Sequence, residues 1–142
     1  MLNPSGDGIT HVNVYSKGKT ELGRLLSNFA RTPFELKDHG KFESVEGYWY
    51  WLGCKNDRLR TLSGFAAKQQ GRLLKAADWN NEPEFKACIQ RAIKAKLEAH
   101  PRINELLKAN SLPLVHYYVF GSVVHDETVR GQWILDCFNS KE

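Results

Sequence analysis

The stretch FESVEGYWYWLGC, which begins at Phe42, places one carboxylate, Glu46, directly ahead of the rings of residues 48–51. A carboxylate held in a partly apolar pocket beside aromatic rings is suited to chemistry on a sugar or a nucleotide. Further along the chain, Lys68 and Arg72 are four positions apart, so on a helix they share a face and can bind a phosphate. Ordinary structural roles also explain these residues, because acids are common in first turns and surface cations are usually solvated.

Local signals place Glu46 at the start of a short helix. Ser44 is a suitable N-cap for a helix from Val45 to Leu52, and Gly53 suits the position just past its end. Glu46 then lies in the first turn of this helix. The unpaired backbone amides of a first turn favour the ionised form of the carboxylate.

The chain before this helix predicts a strand, a loop and a hairpin. Residues 9–16 are rich in β-branched side chains, which is typical of a strand. Residues 17–33 predict an ordered loop, because glycines such as Gly23 interrupt a helix there. Residues 33–44 predict a hairpin whose turn uses the positive φ that Gly40 can adopt.

Helical patterns dominate the second half of the chain. Residues 64–79 predict a helix in which Gly71 marks either a close approach or a helix end. The next helix, capped by Asn80 or Asn81, carries an apolar stripe and is the clearest of all. Its basic side chains predict a solvated face: Lys86, Arg91, Lys94 and Lys96.

The remaining elements complete an α+β pattern. His100 and Pro101 end the long helix, a short helix runs to Asn110, and residues 112–122 predict a strand. Asp126 is a suitable cap for a last helix through Phe138. The sequence therefore predicts one α+β domain over residues 1–142, with several helices around a small β-sheet.

Composition and charge narrow the class of protein. The 142 residues are 42% hydrophobic and 25% charged, which indicates a globular chain, and the net charge of +4 suits an anionic partner. The sequence contains no dense Lys/Arg tract of the kind an obligate duplex binder needs. Three dispersed cysteines and five scattered histidines predict no metal site and a reducing, cytoplasmic setting. No apolar run is long enough to predict a membrane span.

Three segments, LLSNF, FESVEGYWYW and AAKQQGRLLKAADWN, together resemble the NADAR, or YbiA-like, family of N-glycosidases. The family pattern runs from a Ser-Asn-Phe segment through a Glu-bearing aromatic helix to an Ala-Lys-x-x-Gly-Arg helix that ends in Asp-Trp. The matching residues are Ser27, Asn28 and Phe29, then Glu46 with Tyr48, then Ala67, Lys68, Gly71 and Arg72, and finally Asp78 with Trp79. The resemblance extends over most of the chain.

The resemblance implies an enzyme that hydrolyses the bond between ribose and a base nitrogen, without a metal or cofactor. It implies two substrate classes: ADP-ribose attached to guanine, including guanine in nucleic acid, and a ribosylaminopyrimidine phosphate of riboflavin synthesis. Cleavage builds positive charge on the sugar, and the Glu46 carboxylate can either stabilise that charge or activate water. The substrate-binding residues that it implies are Asn28, Phe29, Tyr48, Lys68, Arg72 and Trp79.

The chain departs from the family pattern at several positions. Phe120-Gly121 stands where Trp-Gly is expected, and Tyr117 stands where an Asp is expected. Asp126 is therefore a second catalytic candidate that supplies the missing acid, or it is only an N-cap. Gly47 replaces a His that often follows the Glu, and Tyr50 replaces a common Gln. These changes alter the predicted pocket wall and leave the catalytic glutamate in place.

Two other functions remain open from the sequence. A non-catalytic module that binds ADP-ribose or a nucleotide would suit the altered C-terminal segment. A small nucleic-acid-binding protein would use the basic residues of the long helix, and its affinity would fall steeply with salt.

Overall fold

The computed structural model describes residues 2–74 and 82–139, and these residues contain six α-helices, six short β-strands and two short 3-10 helices. In chain order the α-helices and strands are β1 (Val12–Asn13), α1 (Glu21–Leu26), β2 (Phe34–Leu36), β3 (Gly40–Phe42), α2 (Val45–Cys54), α3 (Gly64–Leu73), α4 (Pro83–Ala99), α5 (Pro101–Ala109), β4 (Leu114–Val115), β5 (Tyr117–Phe120), β6 (Val123–Asp126) and α6 (Gln132–Asn139). The α+β prediction is confirmed.

The chain divides into two compact units. The first comprises Met1–Ser27 and Arg102–Glu142, and the second is the continuous segment Asn28–Pro101. The second unit contains β2, β3, α2, α3 and α4, and therefore both Glu46 and the Lys68–Arg72 pair. The prediction of one domain over residues 1–142 stays a prediction.

The strands pair as three separate two-stranded sheets within the described residues, whereas the sequence predicted one small sheet. β1 pairs in parallel with β4, and β2 with β3 and β5 with β6 are antiparallel. The predicted strand over residues 112–122 is split into β4 and β5, and β6 was not predicted. Gly121, at φ 63°, provides the turn that joins β5 to β6.

Helix α1 lies inside the segment that was predicted to be a loop, so that prediction is wrong. The Thr20 hydroxyl caps the helix by accepting a hydrogen bond from the Gly23 amide at 2.9 Å. A Cβ atom at Gly23 would clash with the backbone carbonyl of Asn13. Gly23 is therefore required by a close tertiary approach and does not interrupt the helix.

The hairpin and the start of α2 match their predictions. Phe34 pairs with Phe42 across the hairpin, and Gly40 has the expected positive φ, 84°. Ser44 caps α2, but the helix continues to Cys54 and ends at Lys55, whose φ is 56°. The predicted end at Gly53 is therefore two residues early.

Helix α4 carries the predicted apolar stripe, which includes the buried residues Phe85, Ile89 and Ile93. The caps predicted at Asn80 and Asn81 lie outside the described residues. Lys96, predicted to be solvated, is instead only 1% exposed, and burial lowers its pKa to about 7. This side chain belongs to the core, so that prediction is wrong.

Helix α6 begins at Gln132, so Asp126 is not its N-cap. Asp126 ends β6, and its carboxylate accepts a hydrogen bond at 2.9 Å from the backbone amide of Thr128. Asp126 was predicted to cap a helix, and in the structure it instead forms a turn at the end of a strand.

Candidate functional site

The position of Glu46 is fixed by two hydrogen bonds at the start of α2. The Ser44 hydroxyl accepts from the Gly47 amide at 3.0 Å, which caps the helix. The Glu46 amide donates to the carbonyl oxygen of Asn28, also at 3.0 Å. The first turn of α2 is therefore tied to the Asn28–Phe29 segment of the predicted site.

Two glycines let other chain segments approach α2 closely. A Cβ atom at Gly47 would clash with the backbone carbonyl oxygens of Leu59 and Leu62. A Cβ atom at Gly71 of α3 would overlap the ring of Tyr50 of α2. The close approach predicted as one role of Gly71 is thus what the structure shows. The close approach explains Gly47, one departure from the family pattern, and Tyr50, another departure, packs against Gly71.

The contact between α2 and α3 brings positive charge to Glu46. Glu46 is partly buried, and burial raises the pKa of its carboxyl to about 7. The charges of Lys68 and Arg72 oppose this rise, which means that both cations act on the carboxyl. The sequence predicted that the first turn favours the ionised form. That sign is wrong, because burial outweighs the favourable charges.

The Asn28–Phe29 segment lies between the starts of the two helices. Asn28 contacts the first turn of α2 through its carbonyl oxygen, and a Cβ atom at Gly64 would touch the ring of Phe29. Both residues are partly buried, as is Lys68, whereas Arg72 is exposed. Asn28 thus contacts the helix turn of Glu46, Lys68 and Arg72 act on its carboxyl, and Phe29 lies next to Asn28 at the start of α3.

Tyr48 lies in the core of the second unit and does not line an open surface. It is 0% exposed, and its hydroxyl is 2.7 Å from His39 Nδ1. The rings of Phe42 and Trp51 pack against it, with centroids 4.8 and 6.0 Å away. The predicted substrate-binding role of Tyr48 does not fit this burial, because no face of the ring is accessible to a ligand.

The neighbouring aromatic residues are structural as well. Trp51 donates from Nε1 to the Asp57 carboxylate at 3.1 Å, and Trp49 packs edge-to-face on Phe85. The stretch that follows Glu46 therefore forms core and helix contacts.

Asp126 and Trp79 are the two remaining residues of the predicted site. Asp126 belongs to the first unit, and the hydrogen bonds of Thr128 hold its pKa below the ordinary range. It is exposed, and its described contacts are those of a turn. Trp79 lies outside the described residues, so its predicted role in stacking a base stays a prediction.

The sequence reasoning missed Phe65, the second residue of α3. Its side chain is 66% exposed on the helix that carries Lys68 and Arg72. The signal was present in the sequence, because Phe65 precedes the two cations by three and seven positions, which places all three on related turns.

We also searched the described residues for a metal site, a membrane-spanning helix and surface grooves. No three His, Cys, Asp or Glu side chains in residues 2–74 and 82–139 converge to hold a metal ion. The same residues include no helix with the length and apolar character to cross a membrane. Two shallow grooves, lined in part by Thr20 and Leu106 and by Pro33 and Lys41, contain none of the predicted site residues.

We compared the chain with known protein families, proteins and structures. No protein-family model, curated protein or solved structure matches this chain.

Proposed function

We propose that this protein is an N-glycoside hydrolase that cleaves the bond between a ribose and a base nitrogen, with Glu46 as its catalytic carboxylate. The observation that carries the proposal is the state of Glu46: a partly buried carboxyl with a pKa of about 7, in reach of two cationic charges. A carboxyl with a pKa near the working pH is suited to proton transfer in either direction. The resemblance to the NADAR family implies the same catalytic role for Glu46.

The reaction that we propose follows from the charge of the transition state. As the C–N bond breaks, its electron pair leaves with the base and positive charge builds on the sugar ring. Ionised Glu46 stabilises that charge and takes a proton from the attacking water. The water oxygen bonds to the anomeric carbon, and a solvent proton neutralises the departing base.

The residues around Glu46 have complementary roles in this proposal. Lys68 and Arg72 bind the phosphate of the substrate, since a guanidinium and an ammonium are both suited to phosphate oxygens. The Asn28 side chain binds sugar hydroxyls, because its amide both donates and accepts hydrogen bonds. Phe29 follows Asn28 in the chain, and its ring lies beside Gly64 at the start of α3.

The test is turnover on two candidate substrates, ADP-ribosylated guanine in single-stranded DNA and ribosylaminopyrimidine phosphate. Wild-type protein should release the base from at least one of them. Glu46→Gln should lower the rate about 100- to 1,000-fold, the usual cost of removing one contact to a developing charge.

A matched control is Glu84→Gln. Glu84 is an exposed acid in the first turn of α4, so its loss reproduces any helix-end effect of the Glu46 substitution. Turnover by the Glu84 variant should stay at the wild-type rate. Tight binding of both substrates without turnover by wild-type protein would instead support the non-catalytic binding module.

A further inference from the structure

Phe65 is a large aromatic side chain at the start of α3 that the fold leaves 66% exposed. Single exposed apolar residues are common on protein surfaces and need no explanation by themselves. Phe65 differs from such isolated residues because two cationic side chains share its side of the helix. Their charge indicates which kind of ligand the ring can bind.

The helical repeat places Phe65, Lys68 and Arg72 on one side of α3. At 3.6 residues per turn, their directions around the axis lie within about 60° of one another. The buried residues Ala67 and Gly71 lie about 160° and 120° around the axis from Phe65, so the ring points away from the buried side of the helix. Lys68 lies about 4.5 Å and Arg72 about 10.5 Å along the axis from Phe65. The exposed ring and the two cations therefore form one continuous surface.

Helix α3 contributes only positive charge to this surface. The sequence of α3, GFAAKQQGRL, contains no acidic residue, so the helix contributes two positive charges and none that are negative. Both cations act on the carboxyl of Glu46, so the positive end of the surface adjoins that residue. A planar ring next to two cations is complementary to a ligand that joins a flat base to a phosphate.

We infer that Phe65 stacks on the base of a bound nucleotide whose phosphate is held by Lys68 and Arg72. The inference deepens the proposed function and rests on it for the placement of the phosphate beside Glu46. It predicts a ligand class, nucleoside phosphates, in preference to sugar phosphates that lack a base.

Leu73 distinguishes a nucleotide-binding site from an apolar surface that binds a protein partner. Its side chain is 67% exposed and lies about 80° around the axis from Phe65 and about 100° from Arg72. A protein partner that covers the apolar side of α3 would contact both Leu73 and Phe65. A nucleotide held by the cations contacts Phe65 alone.

The experiment measures calorimetric affinity for two probes. The first is formycin 5′-monophosphate, a purine nucleotide whose base is joined to ribose by a carbon–carbon bond that a glycosidase cannot cleave. The second is ribose 5-phosphate, which has the same phosphate and no base. Phe65→Ala should weaken binding of the nucleotide about 5- to 150-fold, the range for loss of one base–aromatic stack. Binding of ribose 5-phosphate should stay within about twofold.

Three companion variants make the result specific. Phe65→Trp should retain nucleotide affinity, because its ring also stacks. Leu73→Ala should leave both affinities unchanged, and Arg72→Gln should weaken both probes alike.

Equal loss of both probes in Phe65→Ala, or unchanged nucleotide affinity, would overturn the inference, as would absence of nucleotide binding by wild-type protein. A loss of affinity in Leu73→Ala as large as in Phe65→Ala would assign the surface to a protein partner and would also overturn it. Because neither probe is a substrate for base release, failure of the glycosidase assay would leave this binding result intact.

Discussion

Replacing Glu46 by Gln should stabilise the protein above neutral pH and leave its stability unchanged in mild acid. Burial raises the pKa of Glu46 from 4.5 to about 7, so the folded state holds the proton more tightly than the unfolded chain does. The stabilisation from that proton is fully present below pH 4.5 and is lost as the pH rises through 7. At about 1.4 kcal/mol per pKa unit, the full loss is about 3.5 kcal/mol, an upper value for a partly buried group.

Glutamine has the size of a protonated glutamate and carries no charge to desolvate. At about pH 8.5 the variant should therefore be more stable than wild type by about 1 to 3 kcal/mol, and at about pH 4.5 the two should agree. Urea unfolding followed by tryptophan fluorescence gives the midpoint at each pH. Glu84→Gln, at an exposed first-turn position, should show no such pH-dependent gain.

Two results would refute this reasoning. A Glu46→Gln variant that is less stable than wild type at about pH 8.5 would mean that the fold favours the ionised carboxylate. A difference of the same size at both pH values would mean that the effect does not come from titration of Glu46.

Three further predictions concern the packing around the site. Gly71→Ala should destabilise the protein by about 1 to 3 kcal/mol in urea unfolding, because the added methyl group overlaps the Tyr50 ring, and the cost should shrink in a Tyr50→Ala background, which removes the ring but keeps the Tyr50 Cβ 2.7 Å from the added methyl group. Lys96→Met should raise stability most below pH 7, where the unfolded chain is fully protonated and the buried ammonium costs most, and the gain should shrink toward pH 10.5; exposed Lys94→Met should show neither effect. Tyr48→Phe should cost about 1 kcal/mol through loss of its hydrogen bond and leave the KM for substrate unchanged, whereas a several-fold rise in KM would return Tyr48 to the site.

Short-range signals predicted the local structure around Glu46 well. The cap at Ser44 and the turn at Gly40 depend on side-chain and backbone geometry within a few residues, which the sequence contains directly. The shared face of Lys68 and Arg72 follows from helical spacing alone. For these features the sequence was sufficient.

Features set by distant neighbours could not be predicted in the same way. Gly23 appeared to break a helix, but its role depends on the Asn13 carbonyl ten positions earlier. Lys96 appeared solvated because lysine usually is, and only the packing around α4 buries it. Tyr48 stands in a helix with apolar residues on every side, so the sequence does not show which ring faces inward. The pKa of Glu46 likewise depends on burial, which no local pattern reports.

The most direct test of the central claim is the pH dependence of kcat/KM for base release by wild type and by Glu46→Gln. If ionised Glu46 supports the reaction, wild-type kcat/KM should rise with pH and level off above an apparent pKa near 7, the value expected for the free enzyme. The Gln variant should be slower by about 100- to 1,000-fold, and that rise should be absent. A profile that is identical in the two proteins, or a wild-type rate that falls as the pH rises through 7, would contradict the role assigned to the Glu46 carboxylate.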